Sequence, residues 1–304
     1  MNFLEEDIRS GMVAIVGPPN AGKSTLMNYL LGQKISIVSH KPQTTRNRIL
    51  GVVNGADYQI VFLDTPGLHK PNQPLNREMV RIAMDSLKDV DAILYMIDVS
   101  LPLPEKVEKG KQQELLEQME GVVAPVLLIL NKVDLLEKEK LLPVIEQYAN
   151  LYPFHGVLPL SALTGEGTDP VIKELLSILP KGPRYFPEDI PTDASERFLV
   201  AEIVREKLFI LTGQEIPYSS AVTIESFKED TRKKMTTIHA TIVLERKSQK
   251  GIVIGKGGKK LKSIGIAARK DIEKLLAQKV VLKLWVKVRK NWAKDEQFLK
   301  ELGF

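Results

Sequence analysis

Apolar residues recur along this chain in two different rhythms. In the first part, short unbroken runs alternate with stretches of helical spacing. The runs are Met12–Val16, Ile60–Leu63, Ala92–Val99, Val126–Leu130 and Val157–Leu160. Between them the spacing predicts helices at about 24–31, 74–88, 110–119, 139–149 and 169–179. Strands buried on both faces read as continuous apolar runs, and intervening helices supply the crossovers between parallel strands. This predicts an α/β domain with a doubly wound, mostly parallel sheet. Later the pattern changes. Residues 196–211 carry helical apolar spacing that stops at Gly213, and Ala221–Phe227 and Thr236–Leu244 read as strands. In the second of these, Ile238, Ala240, Ile242 and Leu244 alternate with Thr237, His239 and Thr241. A glycine–lysine loop, a helix over Lys259–Ala277, an alternating strand Val281–Val288 and a helical tail near 291–301 complete a smaller α+β domain.

The two rhythms meet at LPKGPRYFPEDIPT, where Pro180, Pro183, Pro187 and Pro191 remove backbone donors and fix φ, so neither helix nor central strand continues. The expected organisation is a domain over 8–180, a proline-rich linker over 181–195 and a second domain over 196–304. Charge divides at the same place. Residues 1–180 hold 17 basic and 22 acidic side chains, and residues 181–304 hold 26 and 16, so on charge alone the second part reads equally as a face for a polyanion or as a lysine-rich solvated surface. With 18 aromatic residues in all, a surface built mainly on ring stacking is not favoured. There are no cysteines, which excludes disulfide scaffolds and thiolate chemistry. The longest apolar run, Val122–Leu130, contains Pro125 and is too short to span a bilayer. The acidic start, MNFLEEDIRSG, is no secretory signal, and the expectation is a soluble intracellular protein.

The sharpest chemistry lies in Gly17-Pro18-Pro19-Asn20-Ala21-Gly22-Lys23-Ser24, which fits G-x-x-x-x-G-K-[ST] between a strand-like run and a helical pattern. Binding phosphate needs several N–H groups aimed into one concavity, which glycine permits, and a helix N-terminus adds its positive end. Lys23 is expected to reach the β- and γ-phosphates and Ser24 to ligate Mg2+, with Thr25 closing the set of nucleotide-binding candidates. Asp64-Thr65-Pro66-Gly67 ends another apolar run. There Asp64 can hold Mg2+ through water, and the Gly67 N–H can meet the γ-phosphate. Asn131-Lys132-Val133-Asp134 follows a third run. Asp134 offers two acceptor oxygens to the N1–H and 2-amino group of guanine, a pattern adenine cannot match, at about 1.5–3 kcal/mol for each charged hydrogen bond. Lys132 is expected along the purine face and Asn131 as a brace. Ser161-Ala162 follows the last run and supplies an N–H for the guanine carbonyl.

In this order the motifs resemble the translation-factor-like branch of small GTPases over roughly residues 8–180. The resemblance implies GTP and GDP as ligands. It also implies a switch threonine on magnesium and γ-phosphate: Thr45, or its neighbour Thr44, within Pro42-Gln43-Thr44-Thr45-Arg46. Lys23, Thr45, Asn20 and Gly67 are then the candidate catalytic groups, and Ser24, Thr45 and Asp64 the candidate metal ligands. Ras-like enzymes place a glutamine after D-x-x-G to orient water; here stands Leu68, so slow intrinsic turnover is expected. Asn20 matches the asparagine with which related GTPases bind K+. Arg46 and Arg48 are rival charge donors for which a solvated role is expected.

The second signal is Gly255-Lys256-Gly257-Gly258 within GIVIGKGGKKLKSIG. Such a loop lets backbone pass close to a nucleic-acid backbone, with Ile254, Lys256, Lys259, Lys260 and Lys262 around it. This resembles a type II KH domain, a module that clamps about four single-stranded nucleotides. Lys283, Trp285, Lys287 and Arg289 alternate on the last strand and are expected to form a solvated face, with His239 on a sheet face and Trp292 over an edge. Taken together, the chain closely resembles the Era family of bacterial ribosome-assembly GTPases. That resemblance implies binding of small-subunit ribosomal RNA near its 3′ end and action on the small ribosomal subunit. It also implies a mainly cytoplasmic protein, expected to be monomeric, with peripheral attachment to the inner face of the membrane as an option. Switch residues around 40–48 and 66–75 are expected to bias RNA access. Two alternatives stay open: a constitutive RNA-binding protein with a structural GTP site, and a membrane-surface GTPase.

Overall fold

The computed structural model describes residues 8–42, 44–68, 74–100, 116, 117, 119, 121–213 and 216–303. The chain forms two compact units: Met1–Ser36, Thr45–Asn72 and Asn76–Asp193 make the first, and Ile37–Thr44, Gln73–Leu75 and Ala194–Phe304 the second.

In the first unit, β1 (Ile8–Val16), α1 (Lys23–Leu31), β2 (Ile49–Asn54), β3 (Tyr58–Asp64), α2 (Pro74–Asp85) and β4 (Ala92–Asp98) are followed by β5 (Val126–Asn131), α3 (Leu141–Ala149), β6 (Gly156–Leu160), α4 (Thr168–Ile178) and the two-residue β7 (Lys181–Gly182). The strand order is β2-β3-β1-β4-β5-β6, with β7 paired to β1. Neighbours run parallel except β2 on β3 and β7 on β1. The strands β1, β3, β4 and β5 are the expected apolar runs, and their interiors are buried because both sheet faces are covered. One core joins Val16, Tyr95, Leu128, Leu130 and Val144 on one side, while Leu50, Val52, Val61 and Leu63 pack on the other. The order turns about β1, whose two neighbours β3 and β4 come later in the chain. The crevice at the C-terminal end of such a strand is where open α/β sheets bind ligands. The P-loop motif starts there.

β2 is not announced by the hydrophobic pattern. Its run is interrupted by Gly51, where a Cβ would lie 2.7 Å from Leu31 Cδ1, so a side chain there would have to push the end of Leu31 on α1 aside. The helix expected at 110–119 falls largely outside the described residues, though Leu116 and Met119 are buried in the core. The proline-rich connector belongs to the first unit as far as Asp193. Buried Gln59 holds it: Oε1 accepts from the N–H groups of Tyr185 (2.7 Å) and Phe186 (2.9 Å), and Nε2 donates to Phe186 O (2.8 Å). Val52 on the outermost strand donates its N–H to Pro191 O at 2.9 Å.

The second unit runs α5 (Glu196–Leu211), β8 (Ser220–Asp230), β9 (Met235–Leu244), α6 (Lys247–Ile254), α7 (Lys259–Leu275), β10 (Lys279–Val288) and α8 (Glu296–Glu301). Its sheet order is β10-β9-β8, with β9 and β10 parallel and β8 antiparallel to β9. Ser195 caps α5 by accepting from the Phe198 N–H, 3.3 Å, and Asp295 caps α8 by accepting from the Phe298 N–H, 3.1 Å. Ile238, Ala240, Ile242 and Leu244 face Val204, Leu208, Ile264, Ala268 and Ile272 from the helices, as the alternation requires. Trp285 lies on the opposite, outer face beside His239, ring centroids 5.1 Å apart, and Lys283 and Lys287 are exposed with it. Trp292 is fully buried, its Nε1–H on Ser219 O at 3.1 Å.

Candidate nucleotide site and nucleic-acid loop

The phosphate loop links β1 to α1 through three left-handed positions, Gly17 (φ 140°), Asn20 (φ 64°) and Gly22 (φ 102°). A Cβ at Gly17 would sit 2.1 Å from Met96 O, and one at Gly22 2.1 Å from Asn131 Nδ2, so both glycines are fixed by contact as well as by φ. Gly67 closes against the same loop, where a Cβ would lie 2.8 Å from Pro19 N. The N–H groups at the start of α1 have no side-chain cap, which leaves them for an anion. Lys23 Nζ donates to Gly17 O (3.1 Å) and Pro18 O (3.0 Å), and burial lowers its pKa to about 8, opposed by the Asp64 charge.

Three oxygens converge beside it. Ser24 Oγ donates to Asp64 Oδ2 at 2.6 Å and lies 2.8 Å from Thr45 Oγ1. Burial pushes the Asp64 carboxyl up from its ordinary pKa, against the Ser24 hydrogen bond and the Lys23 charge. Its Oδ1 is buried without a hydrogen bond. Two hydroxyls and one desolvated carboxylate are hard oxygen donors, few enough to leave positions for water and phosphate. They fit Mg2+. Thr44 is turned away: its hydroxyl donates to Lys41 O at 2.7 Å, within its own loop, so the register favours Thr45.

At the base end, Asn131 Nδ2 donates to Ala21 O (2.7 Å), and Asn131 Oδ1 accepts from the Ala162 N–H (2.9 Å). The brace expected of Asn131 therefore joins the phosphate loop to the Ser161-Ala162 turn. Asp134 is exposed on a 3-10 turn, Val133–Leu135, next to the left-handed Lys132. Lys132 pairs with Asp98, a partner that sequence spacing did not supply. The register could have found it, since Asp98 ends β4 directly opposite Asn131. Two expectations need correction. The Ala162 N–H is taken by Asn131, so among the described residues the next N–H, that of Leu163, is the one left over for a base carbonyl. Arg46, expected in solvent, is buried, whereas Arg48 is exposed. Leu68 points into the core and its N–H donates to Gly17 O at 3.0 Å, so its side chain faces away from the reacting phosphate. Beyond it, residues 69–73 of the second expected switch lie outside the described set.

In the second unit the glycine–lysine loop joins α6 to α7 with Gly255 (φ 70°), Gly257 (φ 60°) and Gly258 (φ 75°) all left-handed. A Cβ at Gly257 or Gly258 meets nothing within 4 Å, so this backbone is bare. α7 starts without a side-chain cap, and Lys256, Lys259, Lys260 and Lys262 are exposed around it with no ion pair among the described residues. Ile254 is half-buried behind the loop. A bare turn, an open helix N-terminus and four free cations suit a phosphodiester backbone.

Residues 12–132 match the family model of the 50S ribosome-binding GTPases, and residues 215–293 match the KH domain model. GTPase Era of Geobacter metallireducens is 50% identical over 300 residues, covering 99% of this chain and 99% of that protein. The chain belongs to the Era family of GTPases. GTPase Era of Alkaliphilus metalliredigens is 49% identical over 97% of the chain and 99% of its own length. Two Era crystal structures are each 41% identical and cover 97% of this chain and 99% of their own. One, an Aquifex aeolicus Era variant bound to GDP.AlF4−, superposes with a TM-score of 0.91. The other, Era with MgGDPNP and nucleotides 1506–1542 of 16S ribosomal RNA, gives 0.90. The α/β GTPase fold followed by a KH domain is thus shared along the whole Era chain. Among the described residues no group of three or more His, Cys, Asp or Glu could hold a metal, and no helix is long and apolar enough to cross a membrane.

Proposed function

We propose that the protein is a Mg2+-dependent GTP hydrolase that binds single-stranded RNA at the 3′ end of small-subunit ribosomal RNA and acts in small-subunit assembly. The observation that carries this is the full-length likeness to an Era bound to MgGDPNP and a 16S RNA segment. The residues supply the chemistry. Gly17–Thr25 and Gly67 cradle the phosphates, and Lys23 leaves the loop carbonyls for phosphate oxygens. Ser24, Thr45 and Asp64 hold Mg2+, whose charge, when bound, offsets charge developing on the phosphates. Asn131, Lys132, Asp134 and the Ser161–Leu163 turn select guanine. Gly255–Gly258 with its lysines clamps the RNA backbone. Asn20, exposed on the loop, is the ligand for K+, and the protein works as a cytoplasmic monomer. GTP strengthens RNA binding, and by linkage RNA strengthens GTP binding by the same factor.

Crosslinking the purified protein to total RNA with a GTP analogue and with GDP, followed by sequencing, tests this. Enrichment of small-subunit 3′-end RNA, greater with the analogue, is expected. Equal RNA affinity in both states rejects the switch, and ATP competing as well as GTP rejects the base assignment. Burial of Leu68 favours one second reading, a constitutive RNA binder with a structural GTP site. Single-turnover hydrolysis unmoved by saturating RNA would select it. A membrane-surface GTPase that uses its lysines on anionic lipid would instead keep its lipid binding unchanged in a Gly257→Asp, Gly258→Asp double variant.

A further inference from the structure

Tyr29 stands on α1, six residues after Lys23, and at 45% exposure it is not a core residue. Its ring nevertheless has a fixed neighbour on another element. A Cβ built at Gly165 would fall 1.7 Å from Tyr29 Oη, 1.9 Å from Cζ and 2.6 Å from Cε2. Gly165 is left-handed (φ 87°), so its backbone strains any side chain there, and an added Cβ would have to push the Tyr29 phenol aside.

Gly165 closes the base turn. Its N–H donates to Ser161 O at 2.8 Å, the Thr164 N–H donates to Ser161 Oγ at 3.2 Å, and the Ser161 N–H donates to Glu166 O at 2.8 Å. Its own carbonyl accepts from Thr168 Oγ1 at 2.8 Å. Inside this turn Asn131 holds one side through the Ala162 N–H, and Leu163, 75% exposed, stands at the crown with its N–H unclaimed among the described residues. Asn131 holds the turn at Ala162, and α4 holds it at Gly165 through Thr168 Oγ1. The Tyr29 phenol on Gly165 is a further point, and it comes from the helix that begins at the phosphate loop.

We propose that Tyr29 is a positioning residue for guanine recognition: its ring sets the tilt of the 161–165 turn so that the Leu163 N–H meets the guanine O6. This rests on the guanine reading above and adds to it a dependence of base selection on α1. The phenol tip makes the contact, with Oη the atom nearest Gly165 and Cζ the next.

The test compares equilibrium binding of GDP, 6-thio-GDP and ADP to the full-length protein carrying Tyr29→Ala, Tyr29→Phe or Gly165→Ala, with thermal melting of each. The 6-thio nucleotide keeps the N1–H and 2-amino donors but weakens the acceptor at position 6. Wild type is expected to prefer GDP over 6-thio-GDP by about fivefold, the worth of one ordinary hydrogen bond. Tyr29→Phe, which removes the nearest atom and keeps Cζ, lowers that ratio less than Tyr29→Ala does. Tyr29→Ala brings it near one, and so does Gly165→Ala, which displaces the ring from the other side, while all variants keep their preference over ADP through Asp134. A GDP to 6-thio-GDP ratio unchanged in Tyr29→Ala overturns the proposal, as does a wild-type ratio of one. Loss of the GDP preference over ADP in wild type itself would instead remove the guanine reading.

Discussion

Asn131→Ala is the most direct probe of how the nucleotide site is built. The side chain is 2% exposed and makes two hydrogen bonds to different loops, at 2.7 Å to Ala21 O and 2.9 Å from the Ala162 N–H. Truncation leaves one buried acceptor and one buried donor without partners. At about 1–3 kcal/mol for each unsatisfied group, the loss is roughly 2–6 kcal/mol. For a domain of this size each 1 kcal/mol lowers the melting temperature by about 2–4 °C, so a drop of roughly 5–20 °C is expected in nucleotide-free protein. GDP affinity falls as well, because the nucleotide must then hold both loops by itself. Asn131→Asp separates the two contacts. It keeps an acceptor for Ala162 but sets a carboxylate against Ala21 O, and at least as large a loss is expected. Differential scanning fluorimetry and titration with a fluorescent GDP analogue measure both effects. An Asn131→Ala protein melting within about 1 °C of wild type, with GDP affinity within about twofold, would refute the brace.

Four further outcomes follow from named groups. Burial puts Lys23 near a pKa of about 8, and phosphate favours its charged form, so GDP binding takes up a proton above that value. Affinity is expected to be flat below pH 8 and to fall by about tenfold per pH unit above it, while the empty protein gains stability as pH rises from about 8 toward the ordinary lysine range; calorimetry in buffers of different ionisation enthalpy reads the proton. Leu68→Gln buries an amide in an apolar core, costing about 2–4 kcal/mol without raising the hydrolysis rate, which a phosphate-release assay decides. Gly257→Asp with Gly258→Asp costs about 1–2 kcal/mol at each left-handed position although no atom crowds either, so melting is expected to fall by several degrees, and RNA binding weakens at least about tenfold by filter assay. Hydrolysis is expected to run faster in K+ than in Na+, with the difference lost in Asn20→Ala; equal rates in the two salts would dismiss the potassium site.

Legibility in the sequence followed the strength of the local signal. The buried strands β1, β3, β4 and β5 and the helix α5 fall where the apolar pattern puts them, because both faces of those strands, or one stripe of that helix, must be covered. β2 carries Gly51 where Leu31 and Met27 of α1 come close, and no local rule anticipates that contact. Four prolines in LPKGPRYFPEDIPT read as a tether, yet Gln59 and Val52 supply hydrogen bonds that dock it on the first unit. The P-loop residues were visible because their chemistry is contiguous. The Thr44–Thr45 choice, the burial of Arg46 and the diversion of the Ala162 N–H to Asn131 were not, since each depends on which way one bond points in three dimensions.

The docked connector has a practical consequence. β2 is the outermost strand of its sheet, and an open strand of this kind recruits strands from other molecules. The segment lying along it takes the Val52 N–H through Pro191 O, and its own prolines present few donors in return. A GTPase fragment ended at residue 180 would bare that seam and tend to self-associate, whereas one ended at 193 would carry its own cover.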